Sequence, residues 1–408
     1  MQKKLGVVAD DLTGASDIAS AMVGTGARVE LVVGVPVSPI PDVDVVVVAL
    51  KIRSAPIHEA VEQSLASARA LQASGYQQGY FKYSSTFDSG LHGNIGPVAD
   101  SLADLFGQRV VVVTPAFPRL HRAVINGRLV VDGRELVEAD LGEHPLTPRK
   151  RSSVVEALRY QTHSGVGSID LSVVREGAAS VAESLEELAR RGIRFAVVDG
   201  ETERDLAILA KAVSEDVLIT GATGLAEAIG GLRFGGRPAE TSFRPPGEGP
   251  PVIMCGSCSS ATVRQVRGYI QVAPSYRVRV EDLSERGVAK AVDWVARGGF
   301  TQAPLIYSTP TEAGTEIAPG HTEEFEAFFG AVARRLRSLG RERFVVAGGE
   351  TSGAVVEALG CRRFTVGPEI SPGVPWLVDE EGTLLALKSG NFGDDGFFLR
   401  AADPDHPR

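Results

Sequence analysis

Short apolar runs alternate with longer helical patterns through most of this chain. Consecutive parallel strands need a crossover connection, usually a helix, so this alternation predicts parallel sheets flanked by helices, an α/β fold. The strand candidates are Leu5–Ala9, Val29–Val33, Val43–Leu50, Val110–Thr114, Phe195–Val198, Val217–Thr220, Val252–Cys255, Leu305–Ser308, Phe344–Ala347 and Thr383–Leu387. The helix candidates are Thr13–Val23, Ile57–Ala73, Gly96–Phe106, Val173–Arg191, Glu203–Val213, Ala261–Val272, Val288–Ala296 and Glu323–Leu339.

Two domains are expected, because 408 residues exceed what one hydrophobic core usually supports. The segment Phe234–Pro251 is rich in glycine and proline and has no apolar periodicity, which is typical of a linker. We place an N-terminal domain at residues 1–235, a linker at 236–250 and a C-terminal domain at 251–400. Each domain is predicted to contain its own mainly parallel sheet.

One region of the N-terminal domain departs from this alternation. Residues Pro115–Pro148 contain short β-type runs, and their Asn126–Gly127 and Asp132–Gly133 pairs are typical of tight hairpin turns. We predict a small insertion rich in β-hairpins. It could serve as a flap or as the contact of a homodimer.

Charge and composition exclude several classes of function. The chain has 42 basic and 51 acidic residues, a net charge of −9, and only 6% aromatic residues, so nucleic-acid or anionic-membrane binding is not expected. No apolar stretch approaches the ~20 residues of a membrane span. With three cysteines the chain cannot form a disulfide framework, and we expect a cytoplasmic protein.

Cys255 and Cys258 form a C-x-x-C pair at the start of a predicted helix. Such a pair could be a redox dithiol, whereas a zinc site would need further ligands from Cys361 or scattered histidines. The other loops of this kind in the chain lack cysteine, so we favour chance occupancy of a small-residue loop.

Two adjacent carboxylates, Asp10 and Asp11, follow the first strand and precede the first helix. Ligands of open α/β sheets bind outside the carboxyl ends of the strands. An aspartate before a helix is ordinarily an N-cap, which explains one of these residues better than both. The second carboxylate is therefore a candidate functional group.

Charged and hydroxyl side chains of the N-terminal half cluster at other strand ends. Arg53 follows the second valine-rich strand, and Lys82 ends a short aromatic one, with Asp88 close behind. Arginine grips carboxylates through paired hydrogen bonds, and acids and hydroxyls hold sugar hydroxyls. This combination fits a small anionic polyol, although either cation alone is more often a surface charge.

Three loops of small residues follow strands of the C-terminal half, at Gly256–Ser260, Gly348–Ser352 and Lys388–Gly393. Small residues let backbone N–H groups approach a phosphate, and a helix N-terminus favours an anion. A single such loop is usually only a capped turn. Three in one half favour a nucleotide site, although none matches the Walker motif or the dinucleotide fingerprint.

Phosphoryl transfer fits a polyol-acid site combined with a nucleotide site. Its catalysis is mainly positioning and charge stabilisation, with Mg²⁺ at the phosphates and a carboxylate that accepts the hydroxyl proton. Asp11 is the first candidate for this base and Asp88 the second, and either could instead be a structural cap. The sequence does not identify the metal ligands.

The chain resembles the four-carbon acid sugar kinases over nearly its whole length. The resemblance rests on ADDLTGASD, KYSSTFDSGLHGNIG, TPAFP, CGSCSSATVRQ, GGETSGAVVEALG, SPGVPW and LKSGNFG, in this order. It implies an N-terminal domain that binds the acid sugar and a C-terminal domain that binds ATP. It also implies phosphorylation of D-threonate, D-erythronate or a 3-oxo-tetronate to the 4-phosphate.

The motifs also imply site residues. Those of the acid-sugar site are Asp10, Asp11, Arg53, Lys82, Tyr83, Ser84, Ser85 and Thr86. Those of the ATP site are Ser257, Gly348, Gly349, Glu350, Thr351 and Gly390. The chain departs from the family after Pro118, where it reads RLHR rather than an Asn-Gly-Arg-like turn, and this bears on the substrate subtype.

Two alternatives remain open at this stage. The chain could be a ligand-binding or catalytically silent relative of the kinases, although a pure binding protein would need only one of the two sites. It could also be a dehydrogenase of acid sugars, which the absent dinucleotide fingerprint disfavours.

Overall fold

The computed structural model describes residues 4–37, 39–87, 89, 93–139, 152–235, 243, 245–310 and 321–403. The chain divides into two compact units, Met1–Glu240 and Thr241–Arg408. The point of division falls inside the segment that the sequence predicts as a linker. Both units are α/β structures, which confirms the predicted fold class.

The first unit alternates strands with helices along its length. Its strands are β1 (Leu5–Ala9), β2 (Val29–Val33), β3 (Val45–Ala49), β4 (Gln78–Lys82), β5 (Val111–Val113), β6 (Arg122–Ile125), β7 (Arg128–Val131), β8 (Arg134–Glu135), β9 (Gly165–Ile169), β10 (Ile193–Val198) and β11 (Leu218–Gly221). Its helices are α1 (Leu12–Gly24), α2 (Ile57–Ala73), α3 (Ile95–Phe106), α4 (Val154–Gln161), α5 (Leu171–Glu176), α6 (Ala178–Arg190), α7 (Glu203–Ala212) and α8 (Thr223–Phe234).

The main sheet of this unit is parallel, in the order β11-β4-β1-β3-β2. Its central strands are buried on both faces, and every residue of β3 is at most 3% exposed. This is why the strands are continuous apolar runs rather than alternating ones. The register sets Ala9 beside Ala49 on one side and beside Lys82 on the other, so three strands end at one level.

Two smaller sheets complete the first unit. The strands β5, β10 and β9 form a parallel sheet, and β6, β7 and β8 form an antiparallel one. The turns of the antiparallel sheet lie at Asn126–Gly127 and Asp132–Gly133, and all four residues have φ between 50° and 76°. Asparagine, aspartate and glycine tolerate this conformation best. The predicted hairpin insertion is confirmed.

The second unit contains β12 (Val252–Cys255), β13 (Ser275–Arg277), β14 (Leu305–Tyr307), β15 (Arg343–Ala347), β16 (Arg363–Ser371), β17 (Val374–Asp379) and β18 (Leu384–Lys388). Its helices are α9 (Ser260–Tyr269), α10 (Glu285–Arg297), α11 (Thr322–Ser338), α12 (Gly349–Leu359) and α13 (Phe397–Ala401). The strand order is β16-β17-β18-β15-β12-β14-β13. The pairs from β18 to β13 are parallel, so the sheet is mainly parallel.

The structure differs from the sequence expectation at several places, and the elements that were not among the candidates include β9, β13, α4, α8 and α13. The predicted helix Val173–Arg191 is broken at Gly177, which has φ of +130° and separates α5 from α6. The antiparallel pair β16–β17 was not predicted, because glycine, proline and charged residues interrupt its apolar pattern. Its two-residue turn, Pro372–Gly373, uses a glycine with φ of +78°.

Part of the predicted linker is fixed to the second unit. The Arg343 guanidinium group, which is 4% exposed, donates hydrogen bonds to the carbonyl oxygens of Pro246, Gly247 and Gly249 at 2.7–2.9 Å. These contacts lie at the amino end of β15. Residues 246–249 are therefore held by the domain that follows them.

Among the helices in the described ranges, none is both long enough and apolar enough to cross a bilayer.

Candidate functional site

Charged side chains meet where β1, β3 and β4 of the first unit end. The backbone N–H of Asp10 donates to the Lys82 carbonyl at 3.0 Å, and the N–H groups of Ile52 and Arg53 donate to the Asp10 carbonyl at 3.0 and 3.2 Å. These bonds continue the strand pairing beyond the strand ends. They hold the backbone of three predicted site residues together at one edge of the sheet.

The Arg53 guanidinium group binds both neighbouring carboxylates. Its Nε lies 3.0 Å from Asp10 Oδ2, and its Nη2 lies 2.8 Å from Asp10 Oδ1 and 2.9 Å from Asp11 Oδ1. The bidentate geometry fixes the Asp10 carboxylate in one orientation. Two carboxylates, Arg53 and the 3% exposed Lys82 form a compact cluster of both signs, as the sequence predicts.

Asp11 is the residue that caps the first helix. Its carboxylate accepts hydrogen bonds from the Gly14 backbone N–H and the Thr13 hydroxyl, both at 2.8 Å. The N-cap role that the sequence predicts for one of the two aspartates therefore belongs to Asp11. Both carboxylate oxygens of Asp10 bind Arg53 instead. Capping leaves lone pairs of the Asp11 carboxylate for other partners, because an ionised carboxylate has about four acceptor sites.

Burial and the neighbouring cations act differently on the two carboxylates. Burial raises the pKa of Asp10, against the opposing charge of Arg53. Burial also disfavours the charged form of Asp11, but Arg53, Lys82 and the hydrogen bonds from Thr13 and Gly14 outweigh it and lower the pKa of this carboxyl group. The site thus keeps the Asp11 carboxylate ionised, which leaves it without a proton of its own but lowers its affinity for one.

Gly14 lets the Lys82 ammonium group reach the start of α1. A Cβ atom built on Gly14 would lie 2.5 Å from Asp11 Oδ1 and 2.8 Å from Lys82 Nζ. Any side chain here would displace one of these charged groups.

The predicted segment after Lys82 divides into two kinds of residue. The Tyr83 ring is fully buried between Phe81 and Phe87, and its hydroxyl lies 3.2 Å from the Thr220 hydroxyl. Tyr83 therefore packs in the core beneath the loop, and its role as a substrate contact stays a prediction. Asp88, the second candidate base, lies outside the described residues.

The three hydroxyl residues Ser84, Ser85 and Thr86 form a compact turn. The Ser84 and Thr86 hydroxyls are 2.7 Å apart, and the Phe87 N–H donates to the Ser84 carbonyl at 2.9 Å. Phe87 has φ of +48°, which is uncommon for an aromatic residue and marks a fixed backbone. The turn presents hydroxyl groups beside the charged cluster at Lys82.

The sequence analysis did not predict two residues that contribute to this candidate site, Arg122 and Asn94. Arg122, which is 6% exposed at the start of β6, donates to the Ser85 hydroxyl and brings a cation from the hairpin insertion to this turn. The Asn94 side-chain amide donates to the carbonyls of Ile52 and Ala55 at 2.6 and 2.8 Å, which holds the loop that carries Arg53. Asn94 lies within the KYSSTFDSGLHGNIG motif, and Arg122 is the last residue of the RLHR segment in which the chain departs from the family.

The three small-residue loops of the second unit converge at the carboxyl ends of its strands. A Cβ atom on Gly390 would lie 2.7 Å from the Ser257 hydroxyl, and one on Gly348 would lie 3.0 Å from the Thr351 hydroxyl and 3.2 Å from the Ser257 nitrogen. Ser257, Gly348, Thr351 and Gly390, predicted from separate motifs, thus lie together. The glycines are required because the loops touch.

Gly348 also determines how α12 begins. Its φ of +123° turns the chain from β15 into the helix, and Gly348 offers no side chain to cap the first turn. The N–H groups at such a helix start carry partial positive charge and attract an anion. Gly349 and Glu350 belong to this first turn, so the predicted ATP-site residues of this motif share one helix N-terminus.

Cys255 and Cys258 behave as ordinary thiols. Cys255 is fully buried, with its sulfur 3.1 Å from the Thr309 hydroxyl, and burial raises its pKa. Cys258 is exposed, and its pKa is raised rather than lowered. A redox dithiol needs a lowered pKa, so this alternative loses its support. Within the described ranges, no cluster of three or more metal-ligating side chains occurs.

Comparison with known proteins assigns a domain type to each unit. The family described as a sugar-binding N-terminal domain matches residues 5–229, and the family described as a nucleotide-binding C-terminal domain matches residues 252–398. The first match contains the charged cluster, and the second contains the three converging loops.

Eight curated relatives that match nearly the whole chain are named 3-oxo-tetronate kinase. A 3-oxo-tetronate kinase of Brucella melitensis is 41% identical over 98% of this chain and 95% of that protein. One of Haemophilus influenzae is 40% identical over 97% of this chain and 98% of that protein. A crystal structure from Salmonella typhimurium LT2, provisionally described as a tRNA synthase, is 39% identical with a TM-score of 0.87, covering 99% of this chain and all of that one.

The two family matches together span most of the sequence, and the sugar-binding domain precedes the nucleotide-binding domain as the motifs predict. The relatives extend over nearly the full length of the chain. This chain therefore belongs to the four-carbon acid sugar kinase family, which joins a sugar-binding N-terminal domain to a nucleotide-binding C-terminal domain.

Proposed function

We propose that the protein transfers the γ-phosphoryl group of ATP to the terminal hydroxyl of a 3-oxo-tetronate, giving the 4-phosphate. Kinase activity on a four-carbon acid sugar follows from membership of the family. We choose the 3-oxo acid because relatives about 40% identical over nearly the whole chain are named 3-oxo-tetronate kinase. D-Threonate and D-erythronate are the competing substrates.

The charged cluster of the first unit supports an acid-sugar site. Lys82 and Arg122 offer positive charge to a substrate carboxylate, and the hydroxyls of Ser84 and Thr86 suit sugar oxygens. Arg53 fixes the orientation of the two carboxylates. Asp11, whose charged form is stabilised, acts in the proposal as the acceptor of the proton released by the attacking hydroxyl group.

The converging loops of the second unit support the ATP site. In the proposal, the N–H groups at the start of α12 and the hydroxyls of Ser257 and Thr351 hold phosphate oxygens. Glu350 is the one carboxylate in the sequence of these three loops, and it fits the oxygen ligands that Mg²⁺ prefers. Mg²⁺ would neutralise charge on the phosphates, while the chain's own residues orient the nucleotide.

The test is a coupled assay of ADP release with ATP and Mg²⁺. The panel contains both 3-oxo-tetronates, the D- and L-forms of threonate and erythronate, and glycerate and xylonate as outsiders. We expect the highest kcat/KM for a 3-oxo acid, and the product's phosphate at C4 by NMR. A threonate or erythronate as the best substrate would overturn the choice of the 3-oxo acid but leave the kinase class intact.

The same assay separates the alternatives. If no acid of the panel causes ADP release but the protein binds ATP, a catalytically silent relative of the kinases is favoured. If the protein also fails to bind ATP, the nucleotide site is rejected. A nicotinamide absorbance assay with the same acids tests for a dehydrogenase.

We also propose that the enzyme is cytoplasmic and that it forms a homodimer through the hairpin insertion. Size-exclusion chromatography with light scattering tests the homodimer.

Gly14→Ala is expected to reduce kcat/KM for the acid sugar at least roughly tenfold, because a misplaced charged group weakens a preorganised site. Alanine favours a helix by about 1 kcal/mol over glycine, so the melting temperature is not expected to fall in proportion. The control is Gly24→Ala at the other end of α1, where a Cβ atom would meet nothing within 4 Å. Equal kinetics of the two variants would contradict this reading of the cluster.

Arg122→Lys is expected to raise KM for the acid sugar roughly tenfold without changing KM for ATP, because lysine cannot reproduce a fixed guanidinium geometry. Arg128→Lys serves as the control. It replaces a half-exposed arginine of the same hairpin insertion that pairs with Glu135. An unchanged KM in Arg122→Lys would remove this residue from the substrate site.

A further inference from the structure

Lys388 is a fully buried lysine at the end of β18. Its ammonium group donates to the Thr262 hydroxyl at 2.9 Å and faces the carbonyl oxygens of Ser389, Gly390 and Phe392 at 3.0–3.2 Å. Nζ has three protons for these four acceptors, so its hydrogen-bonding capacity is filled. The ammonium group therefore binds three carbonyl groups of the loop that follows β18 and holds them close together.

The surroundings of this ammonium group do not neutralise its charge. Within the described ranges, no carboxylate pairs with it. The groups that face it are hydroxyl and carbonyl oxygens, the Phe397 ring at 5.8 Å and the Cys255 thiol. Burial lowers the pKa of Lys388 to about 7. A buried charge without a counter-charge is costly, and this cost calls for an explanation beyond simple packing.

We propose that Lys388 is a positioning residue of the nucleotide site, which holds the 389–392 loop and the first turn of α9 in the conformation that receives the ATP phosphates. The inference rests on the proposed function, because it assumes that the converging loops bind ATP. Lys388 touches no phosphate in this proposal. It acts through Gly390 and Thr262.

The contacts of Gly390 link Lys388 to the predicted ATP-site residues. The Gly390 carbonyl accepts hydrogen bonds from the Lys388 ammonium, the Thr262 hydroxyl at 2.7 Å and the Ser259 hydroxyl. A Cβ atom on Gly390 would lie 2.7 Å from the Ser257 hydroxyl, so this residue is also close to Ser257. Removing the ammonium group would free the loop that closes on Ser257, so the phosphate-binding geometry would loosen.

A nucleotide also supplies the counter-charge that the free protein lacks. A nearby anion favours the protonated form of a lysine and raises its pKa. Below the pKa of the free protein Lys388 already carries its proton, whereas above it ATP binding must be accompanied by proton uptake. ATP affinity is therefore expected to fall as pH rises above about 7, toward the pKa of the bound state.

The experiment measures ATP affinity, both Michaelis constants and melting temperatures for Lys388→Met, Thr262→Val and a matched control. Methionine keeps the length of the side chain and removes its charge. The control is Arg343→Met, because Arg343 is also a buried cation that gathers backbone carbonyls, but at the amino end of β15. Affinities are compared between about pH 7.5 and 9, where the nucleotide's own phosphates are fully ionised.

We expect Lys388→Met to weaken ATP binding roughly tenfold to a hundredfold, the range for lost hydrogen bonds to a charged group, with KM for the acid sugar unchanged. Its ATP affinity should no longer vary with pH, whereas the parent and Arg343→Met should keep the variation. Thr262→Val should weaken ATP binding while retaining the pH dependence.

Parental ATP affinity and pH dependence in Lys388→Met would overturn the proposal. So would a result in which Lys388→Met and Arg343→Met differ from the parent only in melting temperature. If Lys388→Met does not fold, unchanged ATP affinity in Thr262→Val rejects the proposal, and weakened affinity supports it. A parent protein that fails to bind ATP would instead reject the proposed function itself.

Discussion

Asp11→Asn is expected to lower kcat about 10²- to 10⁴-fold, the usual contribution of a positioned proton acceptor. Asparagine keeps the shape of the side chain and can still cap α1 through its carbonyl oxygen, so the helix start and the fold should be retained. The charge that attracts the hydroxyl proton is lost. Steady-state kinetics with saturating ATP and acid sugar measure the effect, and circular dichroism checks the fold.

The control for this variant is Asp17→Asn. Asp17 is a buried aspartate on the same helix that accepts a hydrogen bond from Thr223, outside the charged cluster. It should lower the melting temperature but not kcat. Near-normal turnover in Asp11→Asn would remove Asp11 from the chemistry, and a large loss in Asp88→Asn would then identify Asp88 as the base.

Gly348→Ala is expected to raise KM for ATP roughly 100-fold, because displacements of about 1 Å in a binding site have effects of this size. An alanine with φ of +123° is strained, and its Cβ atom would press on the Thr351 hydroxyl and the Ser257 nitrogen. KM for the acid sugar should stay near its parental value, because the predicted substrate residues belong to the other unit.

Gly360→Ala is the control that separates the effect of backbone strain from the effect of contacts in the ATP site. Gly360 ends the same helix with φ of +72°, and a Cβ atom there would meet nothing within 4 Å. Both variants should lose stability from the strained backbone, and Gly348→Ala should lose more, because Gly360 lies in the left-handed region (φ +72°, ψ +16°) and Gly348 (φ +123°, ψ +132°) lies outside it. Only Gly348→Ala should lose ATP affinity, and equal KM values for ATP in the two variants would show that Gly348 serves only the backbone.

Much of the fold was predictable because its signals are local. The continuous apolar runs of β1 and β3 indicate strands buried on both faces, and Asn126–Gly127 indicates a tight turn, wherever these residues occur. The break at Gly177 and the pair β16–β17 were not predictable in the same way. The glycine's φ is chosen by the packing of α5 and α6, and β17 is stabilised by its neighbours in the sheet.

The candidate site shows the same division. Asp10, Asp11, Arg53 and Lys82 could be predicted because each lies at or soon after the end of a parallel strand, and the carboxyl ends of parallel strands meet at one edge. Tyr83 also follows a parallel strand, yet its ring packs in the core. Its direction depends on Phe81 and Phe87, which only the folded chain places around it.

The sequence by itself determined the α/β class, the two-domain order and the motifs that place the chain in its family. These properties depend on periodicity and on residue types at fixed spacing. Only the tertiary structure decided that Asp11 rather than Asp10 caps α1, that Arg122 reaches Ser85 and that Lys388 is buried. The reason is physical, because burial, charge pairing and pKa depend on neighbours that are distant along the chain and close in space.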